Sequence, residues 1–135
     1  MTLLQKQAAF IDRYSVIPDP QERLAALISR KSTLAQLTDS ERVDAALVRG
    51  CVSRVWLAGT HENGRCRYRV DADSPMVKGL VTALCELYDD AIPEEVISVE
   101  PEIFDALGIS TNLTPTRLNG LASVRRAIRD FAQTA

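Results

Sequence analysis

Gly50-Cys51-Val52-Ser53-Arg54-Val55-Trp56 opens a run that reaches Thr60, and after His61-Glu62-Asn63-Gly64 the chain continues as Arg65-Cys66-Arg67-Tyr68-Arg69-Val70. Asn63 and Gly64 both tolerate positive φ, so this dipeptide between two apolar-bearing runs predicts a hairpin, with 52–60 and 65–70 pairing antiparallel. Residues 65–70 alternate: three arginines point to one face, while Cys66, Tyr68 and Val70 point to the other. An antiparallel sheet with one face packed and one face polar fits that pattern. Ahead of the first strand, Gly50 can adopt backbone angles closed to other residues, which allows a sharp turn presenting Cys51 at the tip of a loop.

Upstream, Thr2 and Gln5 form a capping box for a helix over about 2–13, with Leu4, Ala8, Ile11 and Tyr14 at helical spacing. Asp19 caps a second helix with Pro20 at its first position, carrying Leu24, Leu27 and Ile28 inward and ending near Ser32. Residues 38–41 read as a polar loop, and 42–48 as a short strand or an irregular approach to the cysteine, of which the strand, a third one, is the expectation taken. Downstream, Pro75 precedes a helix over 76–88 with Val77, Val81, Leu84, Cys85 and Tyr88 on one side. A short helix starts at Ile92-Pro93-Glu94-Glu95, and another follows around 101–107, ended by Gly108. Thr114-Pro115 then starts a last helix with a stripe of Leu118, Leu121, Val124, Ile128 and Phe131, leaving Arg125, Arg126 and Arg129 largely off it. The expected fold is α+β: a small three-stranded antiparallel sheet with helices packed on one face.

The 135 residues, 46% hydrophobic and 25% charged, predict a single domain spanning 1–135 with enough core to fold without disulfides or structural metal. A net charge of −2 with scattered basic residues gives no electrostatic footprint for nucleic acid. Residues 1–9 lack the apolar run of a signal peptide and no later segment is long enough to span a bilayer, so a cytoplasmic protein is expected. Three widely spaced cysteines make an odd number, which fits a reducing compartment rather than a disulfide framework. With no C-x-x-C pair and one histidine, no metal site is predicted. Periodicity places Cys66 and Cys85 in the core, leaving Cys51 as the reachable thiol.

Three separated blocks carry a family resemblance. Gly50-Cys51, Ser53 and Val55-Trp56 match the pattern Gly-Cys-Gln-Ser-x-Val-Trp, with Val52 in place of the glutamine. Asp71-x-Asp73 leads to Val77-Lys78-Gly79-Leu80, and Leu113-Thr114-Pro115-Thr116-Arg117 is followed by Asn119-Gly120-Leu121. In these blocks the chain resembles the SufE and CsdE sulfur-acceptor proteins of iron-sulfur cluster assembly, departing from them also at Ala46, where asparagine is frequent. The resemblance implies a fold like that of the IscU scaffold. It also implies a protein that docks on a pyridoxal-phosphate cysteine desulfurase of SufS or CsdA type, accepts sulfur as a persulfide on Cys51, raises the partner's turnover, and delivers the sulfur to a cluster scaffold or another acceptor. The cofactor PLP belongs to the partner, and none is expected in this chain, which as monomer or homodimer fits the resemblance equally.

Sulfur transfer requires an acceptor thiolate that can reach the outer sulfur of a donor persulfide. Cys51 is the catalytic candidate, and the flanking Arg49 and Arg54 would modestly favour its thiolate. Gly50, Ser53, Asp73 and Arg117 are candidates for supporting the loop or the partner surface. Asp73 reads first as a helix cap. Arg117 lies in the first turn of the last helix, where a cation is disfavoured by the helix dipole, so a role beside the cysteine loop or at a partner surface stands next to an ordinary salt bridge. The competing functions are a cysteine-dependent redox enzyme or hydrolase and an iron-sulfur scaffold. Against a hydrolase, His61 lies roughly 30 Å from Cys51 along an extended chain. Against a scaffold, the buried Cys66 and Cys85 leave too few thiolates to hold iron.

Overall fold

The computed structural model describes residues 1–135 and contains six α-helices and one two-stranded antiparallel sheet. Helices α1 (Leu3–Ser15) and α2 (Pro20–Ser29) precede strands β1 (Val55–Glu62) and β2 (Arg65–Ala72), and α3 (Pro75–Tyr88), α4 (Pro93–Ser98), α5 (Ile103–Ala106) and α6 (Pro115–Ala132) follow. Asn63 and Gly64 both have positive φ, and Glu62 pairs with Arg65 across the turn, as the hairpin reading requires. Cys66, Tyr68 and Val70 are buried beneath α3 and α6, and the Tyr68 hydroxyl donates to the Ile128 carbonyl at 2.9 Å. Cys85, on α3, is fully buried as well. On the opposite face, Arg67 pairs with Asp89 at 3.2 Å, Arg69 with Glu41 at 2.5 Å, and Arg42 reaches Asp71 at 2.7 Å. Arg67 and Arg69 are therefore neutralised by the protein's own carboxylates, while Arg65 donates to the Asp90 carbonyl at 2.7 Å.

The expected third strand is not formed. Residues 39–41 and 44–46 are wound into 3₁₀ turns, and 42–48 touches the sheet through one bridge, Leu47 to Trp56, and one hydrogen bond, Val48 N–H to Val55 O at 2.8 Å. The acidic residues that begin each turn and the Arg42 ion pairs to Asp39 and Asp71 hold the segment coiled over the outer face, so pairing stops after a single step.

The buried face of α1 also differs from the expected one. Leu3, Gln7 and Tyr14 are inside and Leu4 is 62% exposed. The Glu95 carboxylate accepts the Leu3 amide at 2.9 Å, and the Gln7 side chain both donates to the Glu100 carbonyl and accepts the Glu102 amide, which turns the helix by one position. A buried glutamine used as a clip between two chain segments satisfies its amide and leaves no apolar signature. Helix α2 ends at Ser29, earlier than expected, and the Glu86 carboxylate captures Thr33 N–H at 2.7 Å beyond it. Gly79 of α3 is where Ile28 of α2 crosses: a Cβ there would stand 2.8 Å from the Ile28 Cα. On α6, Arg125 is 5% exposed, with its guanidinium 4.5 Å from the centre of the Tyr88 ring and donating to the Val99 carbonyl at 3.0 Å. Its place on the inner side of α6 differs from the sequence expectation, because the ring and two carbonyls satisfy a charge that periodicity alone sends to solvent.

Candidate functional site

The segment from Arg49 to Arg54 is a short loop with both ends pinned. Val48 N–H bonds to Val55 O at one side, while Arg54 and Asp73 exchange two hydrogen bonds at the other: Asp73 N–H to Arg54 O at 3.1 Å and Arg54 N–H to the Asp73 carboxylate at 3.0 Å. Asp73 thus clasps the loop and does not cap α3, whose N-cap is Ser74. Within the loop Gly50 has φ +93°, a conformation that strains residues with a Cβ, and any Cβ would run into Ser123 of α6.

That turn folds Cys51 inward. The tip is Val52, 85% exposed, whereas Cys51 is half-buried and its S–H donates to the Gly120 carbonyl of α6 at 3.5 Å. The expectation of a thiol displayed at the tip is corrected accordingly. A Cβ on Gly120 would stand 3.7 Å from Sγ, an ordinary contact distance, so the thiol lies directly against this turn of the helix. Beside the thiol is a hollow of about 300 Å³. The loop contributes Val52 and Ser53, α3 contributes Val77, Leu80 and Val81, and the start of α6 contributes Thr114, Thr116, Arg117 and Leu121.

Of the candidates, Cys51, Ser53 and Arg117 line this hollow, Gly50 turns the same loop against Ser123, and Asp73 clasps the loop's far end. Sequence reasoning passed over Ser123, which backs Gly50, while Val77 and Leu80 of the α3 wall were already within the second motif block. Gly120 was already within the third motif block, the one signal that pointed to it. His61 is absent from the lining; it stacks on Phe131 at 4.2 Å and meets the Thr134 hydroxyl at 3.0 Å. No three histidine, cysteine, aspartate or glutamate side chains converge anywhere in the fold.

Burial pushes the Cys51 thiol above its ordinary value, and Arg49 and Arg54, both exposed, do not offset it. The neutral thiol is the form the resting loop favours. Alkylation of Cys51 by iodoacetamide should therefore be slow at neutral pH and keep accelerating above the usual thiol range of about 8.5. Asp73→Ala, by opening the clasp, should raise the rate at pH 7 by about tenfold, read by mass spectrometry at Cys51; a variant no faster than wild type would show that the clasp does not hold the thiol down.

A family model described as SufE, an Fe-S metabolism associated domain, matches residues 8–132. The chain belongs to the SufE family. An uncharacterized SufE-like protein of Synechocystis sp. is 31% identical over 131 residues, covering 97% of this chain and 82% of that protein. A chloroplastic quinolinate synthase of Oryza sativa subsp. japonica is 38% identical over 98 residues, which are 72% of this chain and 14% of that enzyme. In fold, this SufE-family chain superposes on the solution structure of a hypothetical protein from Thermus thermophilus with a TM-score of 0.76 at 20% identity, covering 96% and 95% of the two chains. SufE membership places the protein in Fe-S metabolism, in a family of accessory sulfur-transfer proteins, and no helix is long and apolar enough to cross a membrane.

Proposed function

We propose that this SufE-family protein accepts sulfur from a PLP-dependent cysteine desulfurase of SufS or CsdA type, carries it as a persulfide on Cys51, and passes it to an iron-sulfur scaffold or another acceptor. The observation that carries this reading is the placement of Cys51: one half-buried thiol on a glycine-hinged loop above an apolar hollow, in a molecule whose other two thiols are fully buried. A resolving thiol next to a persulfide would discharge it as sulfide and leave a disulfide. Isolation of Cys51 from Cys66 and Cys85 protects the cargo. The hollow shields a labile sulfur from water and small thiols while the loop is at rest, and release of the Arg54–Asp73 clasp lets the loop reach a donor.

Cys51 is the sulfur-bearing residue in this account, Gly50 and Asp73 set the loop, and Ser53 and Arg117 line the hollow. The chain works as one SufE-like unit over 1–135 in the cytoplasm, and the PLP stays with the desulfurase. The matched stretch within a quinolinate synthase fits a unit that serves other proteins. The scaffold reading lacks converging ligands, and the hydrolase reading lacks an imidazole beside the thiol.

Stimulation of a cysteine desulfurase tests the proposal. Wild type should raise alanine production severalfold, and Cys51→Ser should bind with unchanged affinity while giving no stimulation. Undiminished stimulation by Cys51→Ser would refute the carrier role.

A further inference from the structure

Four arginines hold a side-chain nitrogen buried without a hydrogen-bond partner: Arg30, Arg117, Arg125 and Arg129. Three of them have a carboxylate nearby, Glu86 for Arg30 and Glu100 for Arg125 and Arg129. Arg117 has none; it takes part in no ion pair, and its side chain makes no hydrogen bond. It is also the one charged residue lining the Cys51 hollow. A guanidinium partly withdrawn from water with no anion is unfavourable, and its place in the first turn of α6 sets it against the helix dipole. The resting fold thus keeps a cation that its own stability does not require, turned to the space beside the thiol.

The chemistry of the carrier reading supplies an anion at that place. Cys51 thiolate attacks the outer sulfur of the donor, a new S–S bond forms at Cys51, and the donor's S–S bond breaks with its electron pair going to the donor sulfur. In sum, Cys51–SH and donor–S–S⁻ give Cys51–S–S⁻ and donor–SH, so the proton of Cys51 ends on the donor thiol and no oxidant is consumed. A persulfide is more acidic than a thiol, so the loaded residue is anionic at neutral pH. The resting S–H donates to the Gly120 carbonyl, but an anion has no proton to donate and is repelled by that oxygen. The α3 wall is apolar, Lys78 next to it is paired with Asp71 at 3.2 Å, and Arg49 and Arg54 are exposed. Arg117 is the group left to meet the charge.

We propose that Arg117 is the counter-ion of the Cys51 persulfide, closing on its outer sulfur while the loaded loop rests in the hollow. The assignment rests on the carrier reading and adds what stabilises the cargo: the Gly120 carbonyl holds the empty thiol, and Arg117 holds the loaded anion.

The test uses the full chain as wild type, Arg117→Met and Arg117→Lys, loaded either by a cysteine desulfurase with cysteine or by sodium polysulfide. The pH dependence of iodoacetamide alkylation is read at Cys51 by peptide mass, for loaded and unloaded protein. In Arg117→Met the loaded midpoint should rise by about one pH unit, Arg117→Lys should restore most of it, and the unloaded profile should stay that of wild type. The thermal midpoint of Arg117→Met should not fall, since the residue has no stabilising partner. Superimposable loaded profiles for wild type and Arg117→Met would overturn the proposal, as would a variant that loses stability and shifts loaded and unloaded profiles together. If the desulfurase fails to load wild type while polysulfide-loaded protein shows the Arg117 shift, the carrier reading fails and the counter-ion assignment stands.

Discussion

Gly50→Ala should destabilise the fold by about 2 kcal/mol and slow sulfur loading of Cys51 by at least about tenfold. The first effect has two sources. At φ +93° an alanine is strained in a way glycine is not, and its Cβ would be driven into Ser123, which is fixed on α6 beneath the loop. Rotation of the Ser123 hydroxyl relieves part of the clash, but the Ser123 Cβ still stands 3.3 Å away and the positive φ remains, so the loop shifts off α6, taking Cys51 away from the Gly120 carbonyl and the hollow. The second effect follows, because a transfer that depends on aligning two sulfurs is sensitive to displacement on the scale of an ångström. Urea unfolding reads the first and a mass time course with desulfurase and cysteine the second. An alanine variant as stable and as quickly loaded as wild type would mean that the turn does not set the thiol's position.

Glu86→Ala should have the larger effect on stability, about 3 kcal/mol, with a thermal midpoint lower by roughly 10 °C. Glu86 projects from α3 and is 7% exposed; its carboxylate accepts from the Arg30 guanidinium, from Thr33 N–H at 2.7 Å and from the Thr33 hydroxyl at 2.8 Å. Removing it strands a partly buried guanidinium and a backbone amide at once. The estimate sits at the lower end for broken buried pairs because Arg30 keeps 21% of its side chain in water. Glu86 lies away from the hollow, so loading of the folded fraction of Glu86→Ala should match wild type, which separates a fold defect from a site defect. A loss under about 1 kcal/mol in urea unfolding would contradict the role given to this cluster.

Where a single residue type dictates backbone geometry, the sequence was readable. Asn63-Gly64 at the hairpin, Asp19-Pro20 and Thr114-Pro115 at helix starts, and Gly108 after α5 are local rules that tertiary packing had no cause to override. The alternation of β2 likewise told which cysteine enters the core. Residues whose burial rests on distant partners were not readable. Gln7 and Arg125 look polar, and only the chain segments around Glu100 make them internal. The 42–48 run has the apolar content of a strand, but its turns and ion pairs prevail after one bridge. At the site, the motifs pointed to Cys51, Gly50 and Arg117, and they could not tell that the turn tucks the thiol in and leaves Val52 at the tip. That outcome depends on the loop packing onto α6, with Gly50 against Ser123 and the thiol against the Gly120 carbonyl, a tertiary contact with no local signature.

The most direct measurement is the intact mass of the protein after mixing with a cysteine desulfurase and cysteine, followed by peptide mapping. Wild type should gain one sulfur located at Cys51, and Cys51→Ser should gain none. A wild type that gains no sulfur, or a Cys51→Ser variant that loads equally through Cys66 or Cys85, would contradict the account.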